Sequence, residues 1–150
     1  MSFPITEPLP ATNAEIVKCL KSRKIKVRTP KDILPVLDGI REAEQEFVIC
    51  LTLDGSNKLI GSFVVSIGIA NSCSIHPREV FKWAIRNNAV SIMISHNHPS
   101  GNLEASESDL IATRRLSEAG KLLGIPLLDH VIISSEGFLS IRERFPGYFT

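Results

Sequence analysis

The stretch Ala89-Val90-Ser91-Ile92-Met93-Ile94 leads into Ser95-His96-Asn97-His98 and is broken by Pro99-Ser100-Gly101. The apolar and β-branched run reads as a strand buried on both faces. Residues two apart on an extended chain point the same way, so His96 and His98 share one face and Asn97 points to the other. Proline and glycine then end the pairing and turn the chain. Ser106, with Asp109 three residues later, marks a helix start, the serine as N-cap and the aspartate in the first turn. Strand, turn and helix can thus bring two imidazoles and a carboxylate together.

Two histidines and an aspartate make a three-ligand set of the kind catalytic zinc uses, with a fourth position left open. A structural zinc site would normally close with a fourth protein ligand, often cysteine, and Cys19, Cys50 and Cys73 all lie elsewhere in the chain. Two nitrogens also make the set too soft for magnesium or calcium, which prefer oxygen shells. Each half has a plainer reading, Ser106 and Asp109 as a helix cap, His96 and His98 as hydrogen-bonded residues at a strand end. The complete pattern His-x-His-x7-Ser-x2-Asp favours the metal site.

The 150 residues, 43% of them hydrophobic, suffice for one domain with a real core. A formal net charge of +1 exerts no global pull on nucleic acid or anionic membrane. Three scattered cysteines do not suit a disulfide framework and fit a reducing compartment, the cytoplasm by default. No signal peptide opens the chain and no apolar run is long enough to span a bilayer. Residues 1–28 read as an arm and lead-in to a domain over 29–150. The basic stretch from Lys18 to Lys31 could touch phosphates, although Ile25 and Val27 alternate as in an amphipathic strand with a solvated face.

Thr29-Pro30 and the spacing of Ile33, Leu34, Leu37 and Ile40 predict a helix over 30–43, with Pro35 as a possible interruption. A hairpin follows, strands over 46–53 and 58–65 joined at Asp54-Gly55-Ser56-Asn57. The small-residue loop over 68–74 could lie over the site, with Cys73 and Ser74 lining it. His76-Pro77 opens a helix whose Val80, Phe81, Ala84 and Ile85 face the core. After the histidine strand, Leu110, Ile111, Leu116, Ala119 and Leu123 form the stripe of a helix closed by Gly124. Strands over 127–134 and 138–141 complete an α/β single domain of order αββαβαββ, a mixed sheet packed with helices.

The site pattern resembles the metal-binding signature of the JAMM (MPN-plus, JAB) metalloprotease family, and the flanking words resemble its bacterial RadC branch. Those words are His76-Pro77-Arg78-Glu79-Val80-Phe81, His96-Asn97-His98-Pro99-Ser100-Gly101, Asp109-Leu110-Ile111-Ala112-Thr113-Arg114-Arg115-Leu116, and Leu123-Gly124-Ile125-Pro126-Leu127-Leu128-Asp129-His130-Val131-Ile132-Ile133. The likeness runs over about 29–145. RadC proteins commonly carry a helical, DNA-binding-like segment ahead of this domain, and the stretch before Thr29 is too short for it.

The resemblance implies a curved mixed sheet between helices, of cytidine-deaminase-like architecture, and hydrolysis of peptide or isopeptide bonds with one zinc ion. By the same resemblance a glutamate at the start of the first core strand is the general base. Glu46 matches that position best, with Glu42, Glu44 and Glu79 as competitors. Ser106 would hydrogen-bond the developing oxyanion. His76 reads as a cap, and His130 as a buried ring in need of a hydrogen bond, with a supporting role at the metal as the sharper alternative. The partner would be a peptide or protein substrate, with nucleic acid as the lesser alternative and no membrane. The alternative function is a metal-stabilised binding module in DNA repair or other DNA-associated processes. A zinc deaminase would need a Pro-Cys-x-x-Cys word, which is absent.

Overall fold

In a computed structural model, which describes residues 25–68 and 75–150, five strands form one mixed sheet in the order β2-β1-β3-β4-β5. They are β1 (Phe47–Leu53), β2 (Leu59–Ile67), β3 (Ser91–Asn97), β4 (Leu127–Ser134) and β5 (Gly137–Ser140). β1 runs antiparallel to both β2 and β3, and β4 antiparallel to β5. β3 and β4 run parallel, so the chain between them must cross over, and it does so through α3 (Glu107–Leu123).

Every residue of β1 and of β3 is buried, as their continuous apolar character requires. Alternation divides their side chains between two layers. Phe47, Ile49, Leu51, Leu53, Met93, Val131 and Ile133 pack with Ile33, Leu37 and Ile40 on one face. Val48, Cys50, Ile92 and Ile94 pack on the other with Val80, Phe81 and Ala84 of α2 (Pro77–Arg86) and Leu116 of α3. His96 shares the parity of Ile92 and Ile94 and therefore lies on the α2 and α3 side.

The helix expected over 30–43 is instead three short turns: a 3-10 turn at Pro30–Ile33, α1 (Leu34–Leu37) and a 3-10 turn at Asp38–Ile40. Pro35 has no N–H to donate one turn back, so a continuous α-helical ladder cannot form across it. The apolar residues still reach the core. The N-terminal signal holds through Asp32, whose carboxylate accepts the backbone N–H groups of Arg28 and Thr29 at 2.6 and 2.8 Å. Before it, Lys26 bridges Lys58 just ahead of β2 and Val27 is buried.

Asp54 accepts from the N–H groups of Ser56 and Lys58, and Asn57 takes the left-handed conformation at φ 58°, which closes the β1–β2 turn. His76 caps α2 through Nδ1, which accepts the Arg78 N–H at 3.2 Å. Ile85, expected in the core, is exposed, as is Val90 just ahead of β3. Ile141 does not extend β5: Ser140 caps α4 (Ile141–Arg144) instead, accepting the Glu143 N–H. The loop over 69–74, with Cys73 and Ser74, lies outside the described residues, as do residues 1–24 with Cys19 and most of the basic stretch.

The expected stripe of α3 is rotated. Its buried residues are Asp109, Ala112, Thr113, Leu116, Ser117 and Gly120, while Ile111 and Leu123 are exposed. The buried face is small and partly polar because the helix end lies against the chain that enters β4. A Cβ built on Gly120 would stand 2.5 Å from the Ile125 carbonyl oxygen and 3.2 Å from the Phe81 ring. Gly120→Ala is expected to destabilise the fold by about 1–2 kcal/mol, overpacking outweighing the helix propensity gained. A lower denaturation midpoint checks this, and an unchanged or raised midpoint would contradict the close approach.

Candidate metal centre

β3 ends where the site begins. The Nε2 atoms of His96 and His98 stand 2.9 Å apart, and the Asp109 carboxylate reaches both rings, Oδ1 to His96 and Oδ2 to His98, each at 3.3 Å. His96 lies in β3, His98 one residue beyond it, and Asp109 in the first turn of α3. Ligand atoms each 2.0–2.1 Å from a tetrahedral zinc would lie about 3.3–3.4 Å apart, close to the 2.9 Å between the two nitrogens and the 3.3 Å from each of them to a carboxylate oxygen. Ser106 and Asp109 also form the cap expected of them. Ser106 Oγ accepts the Asp109 N–H at 3.1 Å, and Asp109 Oδ2 accepts the Ser106 N–H at 3.0 Å. Cap and carboxylate placement are one arrangement, since the returned hydrogen bond fixes the oxygen that faces His98.

His98 is oriented from behind. Its Nδ1 is 2.6 Å from the Asn102 carbonyl oxygen, which can only accept, so Nδ1 carries the proton and a neutral ring presents the Nε2 lone pair to the site. Without a metal, the hydrogen bond to Asp109 holds the His98 pKa above its ordinary value, burial opposes this, and the Asn102 carbonyl reinforces it. Proton and metal compete for the same lone pair.

Glu46 stands on the remaining side, its Oε1 3.9 Å from His96 Nε2, and with the two histidines it forms a set whose ligand atoms all lie within 4.8 Å of one another. Among the described residues this Glu-His-His cluster could hold a metal ion, with Asp109 closer still to both rings. Burial pushes the Glu46 carboxyl above its ordinary value; His96 and His98 oppose the shift and Asp109 adds to it. Glu42 and Glu44 are exposed, and Glu79 is paired with Lys82 at 2.8 Å on α2, so none of the competing glutamates occupies this place.

Asn97 explains how Glu46 is held. The register that sets Val48 opposite His96 brings the lead-in to β1 alongside the end of β3. There Asn97 Oδ1 accepts the Phe47 N–H at 2.6 Å and Nδ2 donates to the Gln45 carbonyl at 2.9 Å. These bonds bracket Glu46. The sequence places Asn97 opposite the histidines without showing what it binds; the only signal is an amide at the end of a strand that reads as buried on both faces.

Behind His96, its Nδ1 is 2.7 Å from His130 Nε2, and His130 Nδ1 is 2.7 Å from Thr113 Oγ1. Thr113 Oγ1 donates to the Asp109 carbonyl at 2.7 Å. His130 comes from β4, where it pairs with Ile94. It is buried, which pushes its pKa well below the usual value and keeps the ring neutral. Thr113 was one letter of a helical word, and nothing in the spacing joins it to His130. Cys50 is buried in the core, its thiol pushed up to about 12 by burial, and takes no part in the site.

Glu46, His98, Ser106 and Asp109 line a cleft of about 280 Å³. It shares Asn102 and Glu104 with a second cavity of about 560 Å³, walled by Leu103, Ala105, Leu139, Arg144 and Phe145. Among the described residues no helix is long and apolar enough to cross a membrane.

Residues 27–146 match the family model described as the RadC-like JAB domain. The chain is 43% identical over 122 residues to a UPF0758 protein of Clostridium perfringens, covering 81% of this chain and 54% of the relative. It is 44% identical over 119 residues to one of Halalkalibacterium halodurans, covering 79% and 51%. To one of Methanosarcina mazei it is 42% identical over 122 residues, covering 81% and 53%. The chain thus spans about half the length of the curated relatives it matches. The family match takes in β1 through α4, the cleft and every residue described in it, and by that match this chain belongs to the RadC-like JAB domain family.

Proposed function

We propose that this chain is a zinc-dependent hydrolase of peptide or isopeptide bonds, in which His96, His98 and Asp109 hold the ion, Glu46 is the general base and Ser106 steadies the developing oxyanion. The observation that carries the reading is the convergence of two imidazole nitrogens 2.9 Å apart, each 3.3 Å from an oxygen of one buried carboxylate, where the end of β3 meets the start of α3. Acceptor atoms so close repel unless a cation or a proton lies among them. Zinc, when bound there, supplies Lewis acidity, which polarises a carbonyl and acidifies water toward pKa about 7.

The remaining chemistry belongs to side chains. Glu46 faces the same cleft with a carboxyl made more basic by partial enclosure, as suits a group that takes a proton from water and returns it to a leaving amine. Ser106 Oγ accepts the Asp109 N–H, which leaves its own proton for Ser108 or a substrate oxygen. The test uses purified protein, assayed for zinc and then screened against peptides with and without a chelator. About one zinc per chain is expected for the site, with hydrolysis lost on chelation and restored by zinc. Hydrolysis persisting in demonstrably metal-free protein would end the zinc reading. Stoichiometric zinc with no hydrolysis of any substrate would favour the metal-stabilised binding module instead.

A further inference from the structure

We propose that Thr113 and His130 are positioning residues that select the tautomer of His96, holding its Nε2 lone pair toward His98 and Asp109. This role rests on the metal reading of those three residues; the order of the hydrogen bonds does not.

The direction follows from the far end of the chain of contacts. The Asp109 carbonyl can only accept, so the single hydroxyl proton of Thr113, 2.7 Å away, is committed to it. Toward His130 Nδ1, at 2.7 Å, Thr113 Oγ1 then offers only a lone pair, and Nδ1 must carry the ring's proton. A neutral His130 with its proton on Nδ1 has a bare Nε2, which can only accept from His96 Nδ1 at 2.7 Å. With its proton drawn to Nδ1, a neutral His96 is left with its lone pair on Nε2. The opposite order would put a proton on His96 Nε2, where an ion must sit, and would take the Thr113 proton from the Asp109 carbonyl.

Burial makes the device rigid. Thr113 and His96 are fully buried and His130 is 2% exposed, so solvent cannot readily substitute for a missing partner. The relay also ties two candidate ligands together, since it begins on the ring of His96 in β3 and ends on the backbone of Asp109 in α3. His98 needs no such device, because the Asn102 carbonyl sets its tautomer directly. Outer partners of this kind typically change metal affinity by about 10–100-fold when removed.

The decisive variant is Thr113→Val, which keeps the branched shape and removes the hydroxyl. Zinc affinity, measured by competition with a chelating dye on protein whose circular dichroism matches the wild type, is expected to fall about 10–100-fold. Thr113→Ser is expected to restore it. The nitrogen shifts of the imidazoles in metal-free wild-type protein give an independent reading, with His130 expected as the Nδ1-protonated tautomer. Unchanged zinc affinity in Thr113→Val, no rescue by serine, or His130 protonated on Nε2 would each overturn the proposal. If the wild type took up no zinc, the metal reading would fail, and the relay's role at the metal with it. The tautomer of His130 would still decide the direction of the hydrogen bonds.

Discussion

His98→Ala is expected to abolish most zinc uptake while leaving the fold in place. It removes one of three donors from an open site, a larger loss than the about 10–100-fold that follows removal of an outer partner. His98 is the cleaner position for the test. It sits just past the end of β3 with its ring partly exposed to the cleft, and its other nitrogen meets only the Asn102 carbonyl of the neighbouring loop. His96→Ala should lose zinc equally but also strands His130 Nε2 in the core, an added cost of about 1–3 kcal/mol in stability. Zinc content after exhaustive dialysis, read beside the thermal midpoint, separates the two effects. Histidines that merely cap or pack would leave metal content untouched, so full retention in both variants would remove the site assignment.

Glu46→Gln is expected to keep zinc and fold and to lower hydrolysis by about 10² or more, the usual contribution of a positioned general base. The amide preserves the shape of the side chain and gives up only its ability to take a proton. The variant also separates two roles that the geometry allows, since Glu46 lies within ligand reach of both histidines. Lost activity with full zinc content identifies a base; zinc lost together with activity identifies a ligand. Wild-type turnover would leave water activation without its proton acceptor, because Glu42 and Glu44 are exposed and Glu79 is paired with Lys82.

Much of this site could be read from local rules. The parity of His96 and His98, the break at Pro99-Ser100-Gly101 and the cap at Ser106 each depend on residues a few positions apart, and the structure places all three as those rules predict. Glu46 required the resemblance to a family, since nothing in its own neighbourhood distinguishes it from Glu44. Asn97 and Thr113 were not legible, and His130 was legible only as a buried ring in need of a hydrogen bond, because their partners are set by strand register and helix packing between distant segments. The same reason rotated the stripe of α3. Hydropathy pointed to Ile111 and Leu123, but the close approach at Gly120 and the polar contacts of Asp109 and Thr113 turned a smaller face inward. Along 30–40 the burial pattern was readable while the helix type was not, since one proline divides the ladder without moving Ile33, Leu37 or Ile40 out of the core.

The bond from Phe47 to Asn97 spans fifty residues of chain, whereas His96, His98 and Asp109 fall within one strand, turn and helix start. Closing the longer loop costs about 1 kcal/mol more chain entropy than closing the shorter one, and contacts of that range are slow to form. During folding, the three donors can therefore meet before the lead-in to β1 docks against Asn97. A chain at that stage has a place for an ion but not yet the Glu46 carboxylate beside it. The amide of Asn97 thus makes completion of the cleft wait on the pairing of β1 with β3.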